Sequence, residues 1–166
     1  MTEAPERRSG PPRGGPRPSA APRGEGRRPA EPLRPIDPAD LRAIIVDGNA
    51  GVIVQEAQRV ARVLAGERLE ARQATSGALR VLWGELRRIE LDWPTDEGRA
   101  LPLVKPRLAY LAGRAAGVGR GVTDLYQTLA PAVDLVGNDR DRFDHLVHFV
   151  EALMAYFYAG PQFSGR

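Results

Sequence analysis

Few side chains in this sequence have the type and spacing that reactive chemistry requires. His145 and His148 are its histidines, and a three-residue separation on a helix puts both on one side, where Asp141 or Asp144 could complete a metal site. The same residues also suit a plain helix start. Acids at 139, 141 and 144 are favoured by the helix dipole, and no His-Glu-x-x-His pattern accompanies the pair. The chain has no cysteine, which excludes disulfides, zinc-thiolate sites and thiol nucleophiles. No metal, cofactor or catalytic residue is assigned, and the chain is not expected to be an enzyme. A metal-dependent nuclease built on His145 and His148 is the distant alternative.

The run Gly117-Val118-Gly119-Arg120-Gly121 invites comparison with phosphate-cradling loops. It has neither the Gly-x-Gly-x-x-Gly spacing nor a Gly-Lys-Ser/Thr ending, so its glycines are read as ending one helix and releasing the next. Arg120 and the backbone N–H groups that follow could still meet a phosphate at the start of that next helix.

The remaining chemistry is cationic. Lys105 is the sole lysine, so every other cation is a guanidinium, which suits bidentate phosphate contact and base stacking. Arg107 and Arg114 lie seven apart on one helix flank with Tyr110 between them, and Lys105 falls on the other flank. Arg80 and Arg87 repeat the seven-residue spacing on the preceding helix, with Arg88 beside them. Two such helices side by side could line a groove with cations, an aromatic ring and a helix N-terminus, a workable track for a phosphate backbone. In the competing reading these arginines snorkel over the surface of the protein and pair with Glu85, Glu90 or Glu151.

The elements that must position these residues are helices. Asp37 or Pro38 can start a short one running to about Val46, and Asp47-Gly48-Asn49 breaks it. Ile53, Ala57, Val60, Ala61 and Leu64 recur at helical spacing from about Ala50 to Ala65, with Gly66 as the stop. Thr75 or Ser76 offers an N-cap to a third helix bearing Leu79, Leu82, Trp83, Leu86 and Ile89, which should end before Pro94. The fourth runs from about Leu103 to Ala116, because Pro106 is tolerated only in a first turn; its buried stripe is Val104, Leu108, Leu111 and Ala115. A fifth, kinked at Pro131, carries Val122, Leu125, Leu129, Val133 and Val136. The sixth, Asn138 to about Ala159, has the longest stripe, from Phe143 to Phe157. The fold class is all-α: a compact bundle of five to six helices occupying residues 36–166.

Residues 1–35 differ in kind. They are Pro, Gly, Arg and Ala with a single large apolar residue, Leu33, so ordering them would bury little against the backbone entropy lost. A disordered Pro/Arg-rich tail is expected, either touching RNA or a partner or simply solubilising the protein. It holds eight arginines and four glutamates, more positive charge than the whole chain's net +3, so the rest is slightly acidic. Any polyanion site in the bundle must therefore be a local cluster. No apolar run approaches the roughly 20 residues that a bilayer demands, and no secretory h-region opens the sequence, so a cytoplasmic protein without membrane contact is expected.

Three segments in series resemble the small subunit of type III-A CRISPR effector complexes, the Csm complex. They are Thr75 to Arg80, then Val104-Lys105-Pro106-Arg107-Leu108-Ala109-Tyr110 with Arg114, then Phe149-Val150-Glu151-Ala152-Leu153-Met154-Ala155-Tyr156. Gly77-Ala78 stands where that family commonly has Ser-Gln, and the tail has no counterpart in its shorter members. The resemblance implies a non-catalytic helical protein present in more than one copy, contacting the backbone and large subunits and helping to hold CRISPR RNA and target RNA. It points to Arg80, Lys105, Arg107 and Arg114 as RNA contacts; Arg87, Arg88 and Arg120 are added by spacing. Two other readings remain: the small subunit of the related type III-B complex, and a helical adaptor that binds only protein.

Overall fold

The computed structural model describes residues 32–160, and among them it places six α-helices, one 3₁₀ turn and no strand. The helices are α1 (Pro38–Ile45), α2 (Ala50–Ala65), α3 (Leu69–Asp96), α4 (Val104–Ala115), α5 (Gly121–Val136) and α6 (Arg140–Ala159), with the 3₁₀ turn at Leu101–Leu103 leading into α4. The tail expected over residues 1–35 falls, for 1–31, outside the described residues, as do 161–166. Leu33 already packs on the core and Ile36 is buried.

Local chemistry sets three of the six helix starts. Asp37 accepts from Ala39 N at 2.8 Å ahead of Pro38, Asn49 from Val52 N at 3.2 Å, and Asp139 from Arg142 N at 3.1 Å, each satisfying an N–H that the first turn leaves open. The most extensive contact between helices is α2 on α6; α4 packs on α5, and α3 lies against α4, α5 and α6. Phe143, Phe149 and Phe157 of α6 are wholly buried among Ile44 and Ile45 of α1, Leu64 of α2, Leu79 and Leu86 of α3, and Leu125 and Leu129 of α5. Burial of each such side chain favours folding by about 1.5–3 kcal/mol.

Helix α3 departs from the sequence reading at both ends. It begins at Leu69, not at Thr75 or Ser76. Residues 69–74 are mostly good helix formers, and the Thr75 hydroxyl caps nothing. It points into the interior and donates to Ala71 O at 3.0 Å, one turn back, so a buried threonine resembles a cap in sequence. The helix also runs through Pro94 to Asp96. Pro94 has no N–H for the carbonyl of Glu90, and Arg140 Nη1 of α6 donates to that carbonyl instead, at 3.3 Å. Trp93 stacks on Phe143 with ring centroids 4.7 Å apart, holding the last turn to the core. Gly98 then closes on the Trp93 ring at φ +75°, where a Cβ would come within 2.5 Å of it.

Candidate nucleic-acid interface

Leu101 anchors the turn before α4 in the core, and Val104, Leu108 and Ala115 bury the inner side of that helix, with Leu111 half-buried. Pro106 occupies its third position, where no intrahelical bond is lost. This seating turns Arg107, Tyr110 and Arg114 outward, all exposed.

The cations meet different partners. Arg107 ion-pairs with Glu85 of α3, and Arg88 lies 3.9 Å from the other oxygen of the same carboxylate. The α3–α4 seam is thus bridged by one acid serving two arginines. Lys105 faces the other way and pairs with Asp134 of α5 at 2.6 Å. Arg114 has no carboxylate partner among the described residues; its guanidinium sits 5.9 Å from the centre of the Tyr110 ring. Beside it, a shallow groove of about 360 Å³ runs between α3 and α4, lined by Ala78, Val81, Leu111, Val118, Val122 and Arg114.

Arg87 belongs to the opposite side of α3. It lies over Trp83 and pairs with Glu90, whose other oxygen is 3.9 Å from Arg140 of α6. At 100° per residue, Arg80 falls about 20° from Arg87 around the helix. Arg80 is exposed, and it too has no carboxylate partner among the described residues. The structure therefore does not join Arg80 and Arg87 to Arg107 and Arg114 in one groove. Arg88, Arg107 and Arg114 share the α3–α4 seam, whereas Arg80 and Arg87 lean toward α6. Arg140, absent from the sequence-based set, lies over the Trp93 and Phe143 rings and is held by the fold.

An acid-free stretch of sequence also marks these residues. From Gly98 to Thr123 there is no Asp or Glu, yet the stretch holds Arg99, Lys105, Arg107, Arg114 and Arg120. Lys105 and Arg107 therefore draw their carboxylates from α5 and α3, and Arg114 has none among the described residues.

The loop before α5 is filled from within. Glu67 Oε1 accepts from Arg120 N at 2.9 Å and from Gly121 N at 3.0 Å, so the N–H groups that sequence reading offered to a phosphate are taken by the chain's own carboxylate. Gly121 is required there, since a Cβ would lie 2.3 Å from Glu67 Oε2 and from Thr75 Oγ1. The Arg120 guanidinium reaches toward Asp124, 3.9 Å away. Burial pushes the Asp124 carboxyl above its ordinary 3.8, and the charge of Arg120 partly offsets that rise.

His145 is also engaged. Its Nδ1 donates to Ile45 O at 3.0 Å, closing the end of α1, and its ring covers Gly48 so closely that a Cβ there would be 2.4 Å from Nε2. His148 is exposed, and among the described residues no group of three or more His, Asp or Glu side chains is placed to hold a metal ion. No described helix is long and apolar enough to cross a membrane.

A family model described as Csm2 Type III-A matches residues 48–160, which takes in α2 to α6 and leaves out α1. No curated protein and no solved structure matches the chain.

Proposed function

The chain belongs to the type III-A Csm2 family, the small subunit of the Csm complex, and from that premise we propose that it holds RNA in the complex without cutting it. Its cations neutralise phosphates of CRISPR RNA and target RNA, while pairing between guide and target supplies the sequence specificity. Its partners are those RNAs, the backbone and large subunits and further copies of itself, in the cytoplasm.

One observation carries this reading. On the α3–α4 seam Arg107 and Arg88 share a single carboxylate, Glu85, and Arg114 has none among the described residues, beside a helix that contains no acid. Exposed ion pairs contribute at most about 1 kcal/mol, so a phosphate can take over Arg107 and Arg88 at small cost and find Arg114 without a rival. Arg80 and Arg87, on the other side of α3, and Lys105 and Arg120 form the periphery of this contact.

Titration with single-stranded RNA at several salt concentrations tests it. About three phosphate contacts give a slope of log K against log salt of roughly −2, and replacing Arg107 and Arg114 by Ala flattens that slope with helicity unchanged. An unaltered slope counts against the seam. The apolar groove beside Arg114 favours a second reading, a protein-only adaptor. That reading gains if assembly with the other subunits is tight and survives loss of the arginines.

A further inference from the structure

The seam contains one large aromatic side chain that the packing does not use. Tyr110 is 63% exposed, and its hydroxyl makes no hydrogen bond among the described residues. One turn further along α4 lies the Arg114 guanidinium, which interacts with that ring and, among the described residues, with no carboxylate. Arg107, one turn back, adds a second cation on the same flank. Gly113, three residues on, adds no side chain beside Tyr110, and a Cβ there would meet nothing within 4 Å.

We infer that Tyr110 and Arg114 form a stacking site for one unpaired nucleobase of single-stranded RNA. The inference rests on the RNA-holding reading above and extends it from phosphates to bases. A nucleotide supplies both things this surface lacks: a π face for an exposed aromatic ring, and an attached anion for the Arg114 guanidinium. A purely apolar protein segment would cover Tyr110 but leave Arg114 desolvated and unpaired, which is unfavourable. A base inside a duplex has both faces covered by its neighbours, so the occupant is unpaired, in a gap, a flap or a displaced position. Stacking tolerates any base, and purines, with the larger face, bind more tightly than pyrimidines.

The test compares the full chain with Tyr110→Ala and Tyr110→Phe, using fluorescently labelled RNA of about twelve nucleotides, either oligoadenylate or the same backbone with abasic riboses at its centre. The wild-type chain and Tyr110→Phe should prefer the oligoadenylate, whereas Tyr110→Ala should bind it about fivefold or more weakly and bind the abasic probe unchanged. Circular dichroism confirms that the variants remain helical. Equal weakening on both probes, or no weakening on either, overturns the stacking site. If the salt slope still depends on Arg107 and Arg114, the RNA-holding reading stands and only the inference fails. Failure of both probes to bind the wild-type chain overturns both. Loss of assembly with the other subunits on Tyr110→Ala, with RNA binding intact, assigns the ring to a protein contact and likewise overturns the inference.

Discussion

Replacing Glu85 by Gln should tighten RNA binding, the opposite of what loss of a charged interface residue usually does. Glu85 accepts from Arg107 across the α3–α4 seam and lies 3.9 Å from Arg88, and its side chain is 22% exposed against 50% and 62% for those arginines. An RNA phosphate must compete with it for both. An exposed pair of this kind contributes about 0.2–1 kcal/mol, and removing the negative charge spares an approaching phosphate a further few tenths after screening. Together these predict affinity higher by roughly two- to tenfold near 0.1 M salt. If one more phosphate is engaged, the single-strand salt slope steepens by about 0.7. Gln keeps an acceptor for Arg107, so the fold should lose no more than about 1 kcal/mol. Fluorescence anisotropy of labelled single-stranded RNA against salt reads both quantities, with circular dichroism as the control for folding. Binding that is unchanged in affinity and slope, or weaker with helicity intact, refutes the view that Glu85 holds the seam's cations in reserve for phosphate.

Other consequences concern the scaffold. Phe143→Ala removes a wholly buried ring stacked on Trp93 and should cost about 3–5 kcal/mol in urea unfolding; a loss below about 1 kcal/mol would mean that this contact does not hold α6 to the end of α3. Glu67→Ala strips the acceptor from Arg120 N and Gly121 N, so destabilisation of about 1–3 kcal/mol and faster amide exchange at those two residues should follow; unchanged protection contradicts the cap. Because burial raises the Asp124 carboxyl in the folded protein, the folded state holds its proton to higher pH than the unfolded chain does. Stability therefore falls as pH rises from 3.8 through the raised value, and Asp124→Asn removes that dependence. The variant should gain on the wild type at neutral pH and lose the gain below 3.8; a difference independent of pH would contradict the assignment.

Helices that bury a continuous stripe were legible from their sequence. In α2 the stripe Ile53, Ala57, Val60, Ala61 and Leu64 and the stop at Gly66 locate both ends, and α4 follows from Pro106 and its buried Val104, Leu108 and Ala115. Where a residue's role depends on a distant partner, local pattern misleads. Thr75 resembles a cap because nothing nearby shows that its hydroxyl is turned inward, and Pro94 resembles a stop because the donor to the carbonyl it strands is Arg140, 46 residues further on. The candidate site divides in the same way. Periodicity put Arg107, Tyr110 and Arg114 together, since they share one helix. It could not tell which flank of α3 meets α4 and which meets α6, and that separates Arg88 from Arg87 and Arg80. Nor could spacing place Glu67, from the loop before α3, on the first N–H groups of α5.

The central claim is that this subunit holds RNA along the α3–α4 seam of an assembled complex. The most direct measurement is photo-crosslinking of CRISPR RNA and target RNA in the complex reconstituted with this chain, with the linked residues located by mass spectrometry. Crosslinks on α4, at or beside Lys105, Arg107, Tyr110 and Arg114, are predicted, and they should diminish when Arg107 and Arg114 are Ala in a complex that still assembles. Crosslinks confined to other faces of the subunit, or a complex that retains its RNA with no crosslink to this chain, would contradict the account.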